Sequence, residues 1–221
     1  MSELRIENVN YRYKNAPRLA LNNVSCAFQA GTVSAVVGPS GSGKTTMLSI
    51  MAGLDRPESG KVLIDDTDLA GLDLDAYRRE KVSVIFQAFQ LFPLLTVMEN
   101  VCYPMELNGM PVKAAKKRAA ELLESVGIGA EKFRRFPANL SGGEQQRVAI
   151  ARSLATGAGV LLADEPTGNL DGENSRNVVE LLTRLAHNEG YCVIIVTHDP
   201  AIAEASDLVY RMADGVLEQA G

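Results

Sequence analysis

The 221-residue chain has no tryptophan, two histidines and three cysteines, and each scarcity removes a class of protein. Cys26, Cys102 and Cys192 stand far apart with no CxxC pair, so neither a disulfide framework nor a zinc site fits. They read as small core residues. No apolar run approaches the roughly 18 residues that a membrane-spanning helix needs, and the opening MSELRIENVNYRY is charged and alternating, unlike a targeting leader. A soluble, cytoplasmic chain is the expectation. Positive charge is short as well: 22 Lys and Arg against 27 Asp and Glu leave a net charge of −5 and a pI near 5.2, so nucleic acid is not an expected partner. There are no internal repeats or low-complexity tracts, and the length suits one large α/β domain with room for a subdomain.

The strongest signal present is GPSGSGKTT, residues 38–46. An apolar run from Val33 to Val37 precedes it and the helix-competent MLSIMAGL follows, which meets the strand–loop–helix condition for a phosphate-binding loop. Gly38, Gly41 and Gly43 free the backbone to wrap its N–H groups around an anion at the positive end of the helix. Lys44 adds a cation and Thr45 a hydroxyl for Mg²⁺.

Residues 3–13 alternate apolar and polar side chains and residues 19–28 read ALNNVSCAFQ, which predicts two antiparallel strands ahead of this loop. KVLID adds a short strand, followed by a polar segment DLAGLDLDAYRREK. The continuous apolar runs VSVIFQ (82–87), VLLAD (160–164) and CVIIVTH (192–198) are the pattern of parallel strands covered on both faces. They end in Gln87, Asp164 and His198. Ligands of parallel α/β sheets sit at the carboxyl ends of strands, so these three side chains can converge on whatever the loop holds.

Between Gln87 and Val160 the pattern turns helical, with Ala115, Ala119, Leu122, Leu123 and Val126 on one face of a helix. Residues 88–107, AFQLFPLLTVMENVCYPMEL, carry many large apolar side chains; composition leaves open a docking surface or the core of a subdomain. Residues 171–190 form a last long helix stopped by Gly190, and DLVYRMADGVLEQ reads as a hairpin after a short helix.

Asp164 and Glu165 close an apolar strand, an arrangement by which P-loop ATPases hold Mg²⁺ with the first carboxylate. Glu165 can then accept a proton from an attacking water, a role worth roughly 10²–10⁴-fold in rate. In LSGGEQQ, residues 140–146, Ser141, Gly142 and Gly143 immediately precede an expected helix, where a hydroxyl and backbone N–H groups make a second phosphate site. The same residues would equally serve as an ordinary serine cap.

GPSGSGKTT, the glutamine of VIFQ, LSGGEQQ, VLLADEP, GNLD and VTHD, in this order, resemble the ATP-binding cassette (ABC) ATPases over nearly the whole chain. The resemblance implies an α/β P-loop NTPase fold with a parallel core sheet, N-terminal antiparallel strands and an inserted α-helical subdomain. Residues 1–87 and 155–221 would form the nucleotide-binding core, and 88–154 the subdomain. ATP would be bound by Gly38, Ser40, Gly41, Ser42, Gly43, Lys44, Thr45 and Thr46, and Mg²⁺ by Thr45, Asp164 and Gln87. Glu165, His198 and Gln87 would be catalytic. Ser141, Gly142, Gly143 and Asp171 would act on the nucleotide of a second cassette packed head to tail, as a homodimer. Tyr13, or less well Tyr11, would stack on adenine.

DEPTGNLD and NVCYPMELNG are similar to cassettes of the lipoprotein-release, macrolide-export and cell-division group. This implies a peripheral ATPase on the cytoplasmic face of the cell membrane, whose residues 88–110 contact an integral membrane permease. Two alternatives are a soluble ABC ATPase of DNA repair or translation, and a regulatory clamp. Against the first, only 53 residues separate Gln87 from Ser141, too few for a long coiled coil.

Overall fold

The computed structural model describes residues 3–220, and its first layer follows from alternation. Strands β1 (Leu4–Tyr11) and β2 (Leu21–Phe28) pair antiparallel as expected, with Leu4 opposite Phe28, and bury Leu4, Ile6, Val9, Leu21, Val24 and Phe28 on one face. β3 (Val33–Val37) leads through the glycine loop into α1 (Lys44–Met51). β4 (Ser59–Ile64) and the two-residue β5 (Thr67–Asp68) complete a four-stranded antiparallel sheet in the order β2-β1-β4-β5.

The polar segment after KVLID holds a helix that its composition concealed. α2 (Leu74–Glu80) is short, and Asp73 caps it by accepting hydrogen bonds from the Asp75 and Ala76 N–H groups. Tyr77 is its one buried side chain, and the Tyr77 hydroxyl donates to the Met51 carbonyl oxygen at 2.7 Å. One anchor at this spacing gives no periodic signal.

β6 (Val82–Phe86) is followed by the helices α3 (Val97–Leu107), α4 (Val112–Ser125) and α5 (Gly142–Leu154). β7 (Val160–Asp164), α6 (Gly172–Glu189), β8 (Cys192–Thr197), α7 (Pro200–Glu204) and the hairpin β9 (Leu208–Ala213) and β10 (Val216–Gln219) end the described chain. The second sheet runs β10-β9-β3-β8-β7-β6, parallel except for β10.

Alternating side chains of the same strands feed two cores. Leu161, Ala163, Val193 and Ile195 face α3 to α6, while Val160, Leu162, Cys192, Ile194 and Val196 face α1 and the antiparallel sheet. Both faces being covered explains the continuous apolar runs. A fully buried Val, Leu or Ile contributes about 1.5–3 kcal/mol. All three cysteines are free; Cys102 and Cys192 are buried and Cys26 is half-buried. No described helix is long and apolar enough to cross a membrane.

Candidate nucleotide site

The site starts where β3 must turn sharply into α1. Gly41 (φ 78°) and Gly43 (φ 112°) take left-handed backbone, and a Cβ on Gly43 would also lie 2.4 Å from the Ala20 carbonyl oxygen. Gly38 is glycine for a different reason. Its Cβ would meet the Met212 carbonyl oxygen of β9 at 2.1 Å. The Ser42 carbonyl accepts from Gly215 N at 2.9 Å and its side chain is buried. Gly38 and Ser42 thus brace the loop against the β9–β10 hairpin, and neither lines the cleft in front of it.

That cleft encloses about 760 Å³. Ser40, Gly41, Gly43, Lys44, Thr45 and Thr46 form one wall, and Tyr13, Gln87, Glu165 and His198 stand around it. The ends of β6, β7 and β8 therefore do converge on the loop. Lys44 Nζ donates to the carbonyl oxygens of Gly38 (2.7 Å) and Pro39 (3.0 Å), which holds the ammonium at the loop's mouth. Thr45 Oγ1 donates to Asp164 Oδ1 at 3.4 Å. Burial raises the Asp164 carboxyl above its ordinary range, the Thr45 hydrogen bond opposes this, and the neighbouring Glu165 reinforces it. A carboxylate whose charge is poorly solvated, beside a hydroxyl oxygen, suits a hard divalent cation such as Mg²⁺.

Glu165 follows β7 with φ 47°, a left-handed conformation for a non-glycine residue, and the surroundings hold it there. Its carboxylate accepts from Thr197 Oγ1 (3.1 Å) and from the His198 backbone N–H (3.4 Å), and lies 2.8 Å from His198 Nδ1. A base oriented in this way matches proton abstraction from water. From Glu165 and His198 a wider groove of about 810 Å³ continues between α6 and α7.

Gln87 is held through the loop after β7. Asn169 Nδ2 donates to the Gln87 carbonyl oxygen at 2.9 Å and Gln87 Nε2 approaches Asn169 Oδ1 at 3.4 Å; a Cβ on Gly168 would lie 2.7 Å from Gln87 Nε2. Beyond it, Phe89 (φ 55°) and Gln90 (φ 49°) are consecutive non-glycine residues in left-handed backbone, which costs about 1–2 kcal/mol each. Tyr13 borders the cleft, with its hydroxyl 2.7 Å from Thr46 Oγ1, whereas Tyr11 lies behind it in an edge-on contact at 5.1 Å.

Ser141, Gly142, Gly143 and Asp171 do not reach this cleft. Ser141 caps α5, and Gly142 and Gly143 form the helix's first turn rather than preceding it. A capping box closes the end: Glu144 N donates to Ser141 Oγ (3.3 Å) and Ser141 N to Glu144 Oε2 (2.8 Å), while Lys132 Nζ pairs with Glu144 Oε1 at 2.8 Å. Asp171 caps α6 through Asn174 N at 2.9 Å, and a Cβ on Gly143 would collide with Asn174. The two caps are neighbours on a surface of their own.

Residues 88–107 divide between the readings left open by composition. Val97, Val101, Cys102 and Met105 are core, but Leu94 is 87% exposed and Phe92, Tyr103 and Leu107 also reach the surface, with the Phe92 and Tyr103 rings 4.9 Å apart. Buried Asn100 braces this stretch by accepting from Phe92 N (2.8 Å) and donating to the carbonyl oxygens of Phe92, Leu95 and Thr96. The sequence alone does not single out Asn100, Asn169, Thr197 or Arg152. No local pattern marks Asn169, Thr197 or Arg152, because each works through partners that the fold brings in from 32 to 82 residues away, whereas Asn100 bonds within its own segment.

A phosphate-binding loop facing a carboxylate pair, a glutamine and a histidine at the ends of parallel strands defines a P-loop nucleoside triphosphatase. Comparison with known proteins narrows the class. The family described as "ABC transporter" matches residues 21–168. The lipoprotein-releasing system ATP-binding protein LolD 1 of Rhodopirellula baltica is 41% identical, over 96% of this chain and 93% of its own. The macrolide export ATP-binding/permease protein MacB of Syntrophobacter fumaroxidans is 41% identical over 98% of this chain, which spans 31% of that longer protein. A dimeric, post-hydrolysis structure of the cassette MJ0796 of Methanocaldococcus jannaschii, bound to ADP and Pi, superposes with a TM-score of 0.88 at 38% identity, covering 99% of both chains. The chain belongs to the ABC transporter family, as an ATP-binding and ATP-hydrolysing cassette.

Proposed function

We propose that this ATPase is the peripheral motor of a membrane export or mechanotransmission complex, working from the cytoplasmic face as a head-to-tail homodimer. Ser40, Gly41, Gly43, Lys44, Thr45 and Thr46 hold the phosphates of ATP while Gly38 and Ser42 brace the loop from behind, Thr45 and Asp164 would carry Mg²⁺ with Gln87 beside it, and Tyr13 stacks on adenine. Mg²⁺, when bound there, would supply neutralisation of phosphate charge; Glu165 takes the proton of the attacking water and His198 keeps its carboxylate oriented. Ser141, Gly142, Gly143 and Asp171 meet the partner cassette's nucleotide. Residues 1–87 and 155–221 act as the nucleotide-binding core and 88–154 as the helical subdomain, whose exposed Phe92 and Leu94 dock on a separate permease.

The observation that carries this reading is the meeting of Lys44, Thr45, Gln87, Glu165 and His198 around one cleft. Similarity to lipoprotein-releasing and macrolide-export proteins supports export or extracytoplasmic work as the coupled task. Glu165→Gln tests it. Turnover should fall by roughly 10²–10⁴-fold while an ATP-bound dimer accumulates in size-exclusion chromatography. A monomer under saturating Mg-ATP refutes the head-to-tail assembly.

A further inference from the structure

Arg152, at the far end of α5 from Ser141, has an unusual set of partners. Its Nη1 donates to the Gln90 carbonyl oxygen at 2.6 Å and its Nη2 to that of Phe89 at 3.2 Å, and the guanidinium carbon sits 5.9 Å from the centroid of the Phe92 ring. Among the described residues no carboxylate pairs with it. Burial lowers its pKa, the sign of a charge placed where solvation is poor. Burying such a charge is costly unless hydrogen bonds satisfy it, and here two backbone carbonyls do so.

The carbonyls it holds belong to the two consecutive left-handed residues, two and three positions after Gln87. A planar fork of donors can bind both at once; a lysine ammonium is a point donor without that geometry. The same loop also touches the opposite end of α5, where the Phe89 ring comes within 3.8 Å of the place a Cβ on Gly142 would occupy. One helix therefore presents the LSGGE start and, about three turns later, the clamp on the glutamine loop.

We propose that Arg152 is a positioning residue that locks the Phe89–Gln90 bend, sets Gln87 at the cleft and ties its position to α5. The inference rests on the proposed role of Gln87. Without the clamp, the left-handed pair relaxes and Gln87 drifts from the reacting phosphate, and a misplacement of about 1 Å is enough to cost on the order of a hundredfold in rate.

The test uses the purified full chain with Mg-ATP and the variants R152M, R152K, Q87A and Q87A/R152M. R152M should lower kcat by about ten- to a hundredfold, leave the ATP dissociation constant within about twofold, and raise backbone hydrogen exchange across residues 86–92. R152K should recover only part of the rate. Because the arginine acts through the glutamine, R152M should cost less than about twofold more when added to Q87A. Additive losses, unchanged kcat, or unchanged exchange at 86–92 overturn the proposal. If R152M fails to fold, R152K carries the same comparison. Should Q87A alone keep full turnover, the Gln87 reading fails, and the exchange measurement still decides whether Arg152 holds the loop.

Discussion

Glu144 offers a measurable pH dependence at the start of the helix that carries LSGGE. The hydrogen bond from Lys132, together with that from Ser141 N, holds its carboxyl down from an ordinary 4.5 to about 2. A depressed carboxylate adds stability that is fully present above about pH 4.5 and is lost as the pH falls towards 2. At about 1.36 kcal/mol per pH unit the ceiling is about 3 kcal/mol. The Glu144 and Lys132 side chains keep 18% and 25% of their exposure, so solvent screening brings the expected value to about 1–2 kcal/mol. Glu144→Gln removes the charge while its amide oxygen can still accept from Ser141 N. At pH 7 the variant should melt about 2–8 °C lower, and urea midpoints of the two proteins should draw together as the pH falls below 4.5. Equal stability at pH 7, or a gap that stays constant down to pH 3, refutes the assignment.

Gly38→Ala should destabilise by about 1–3 kcal/mol, because the Cβ meets a backbone carbonyl that cannot rotate away, whereas Gly41→Ala meets open space and bears only the strain of its φ, about 1 kcal/mol. Equal losses in thermal melts would defeat that distinction. Leu94→Asp should leave stability within about 0.5 kcal/mol and nucleotide affinity intact, since the side chain is almost fully exposed, while abolishing copurification with the proposed permease. Loss of nucleotide binding in this variant would assign Leu94 to the core instead.

Local chemistry made much of the protein legible. Gly41 at φ 78°, the two-sided apolar strands ending in Gln87, Asp164 and His198, and the Gly190 stop at φ 77° each carry their constraint within a few residues. α2 escaped because one buried tyrosine makes no period. In the sequence Gly38 is one more glycine of a flexible loop, and its constraint is the carbonyl of Met212, 174 positions later in the chain.

The sequence by itself determined the fold class, because strand periodicity and the phosphate-loop pattern depend on near neighbours, and its motifs in order pointed to the family by resemblance. Only the tertiary structure decided that Asn169 braces Gln87 across 82 residues, that Thr197 braces Glu165 across 32, and that Arg152 clamps Gln90 across 62. Those bonds join side chains to partners with no fixed spacing. The close approach of strand ends and α5, imposed by burial of the two cores, is what brings them within hydrogen-bonding distance.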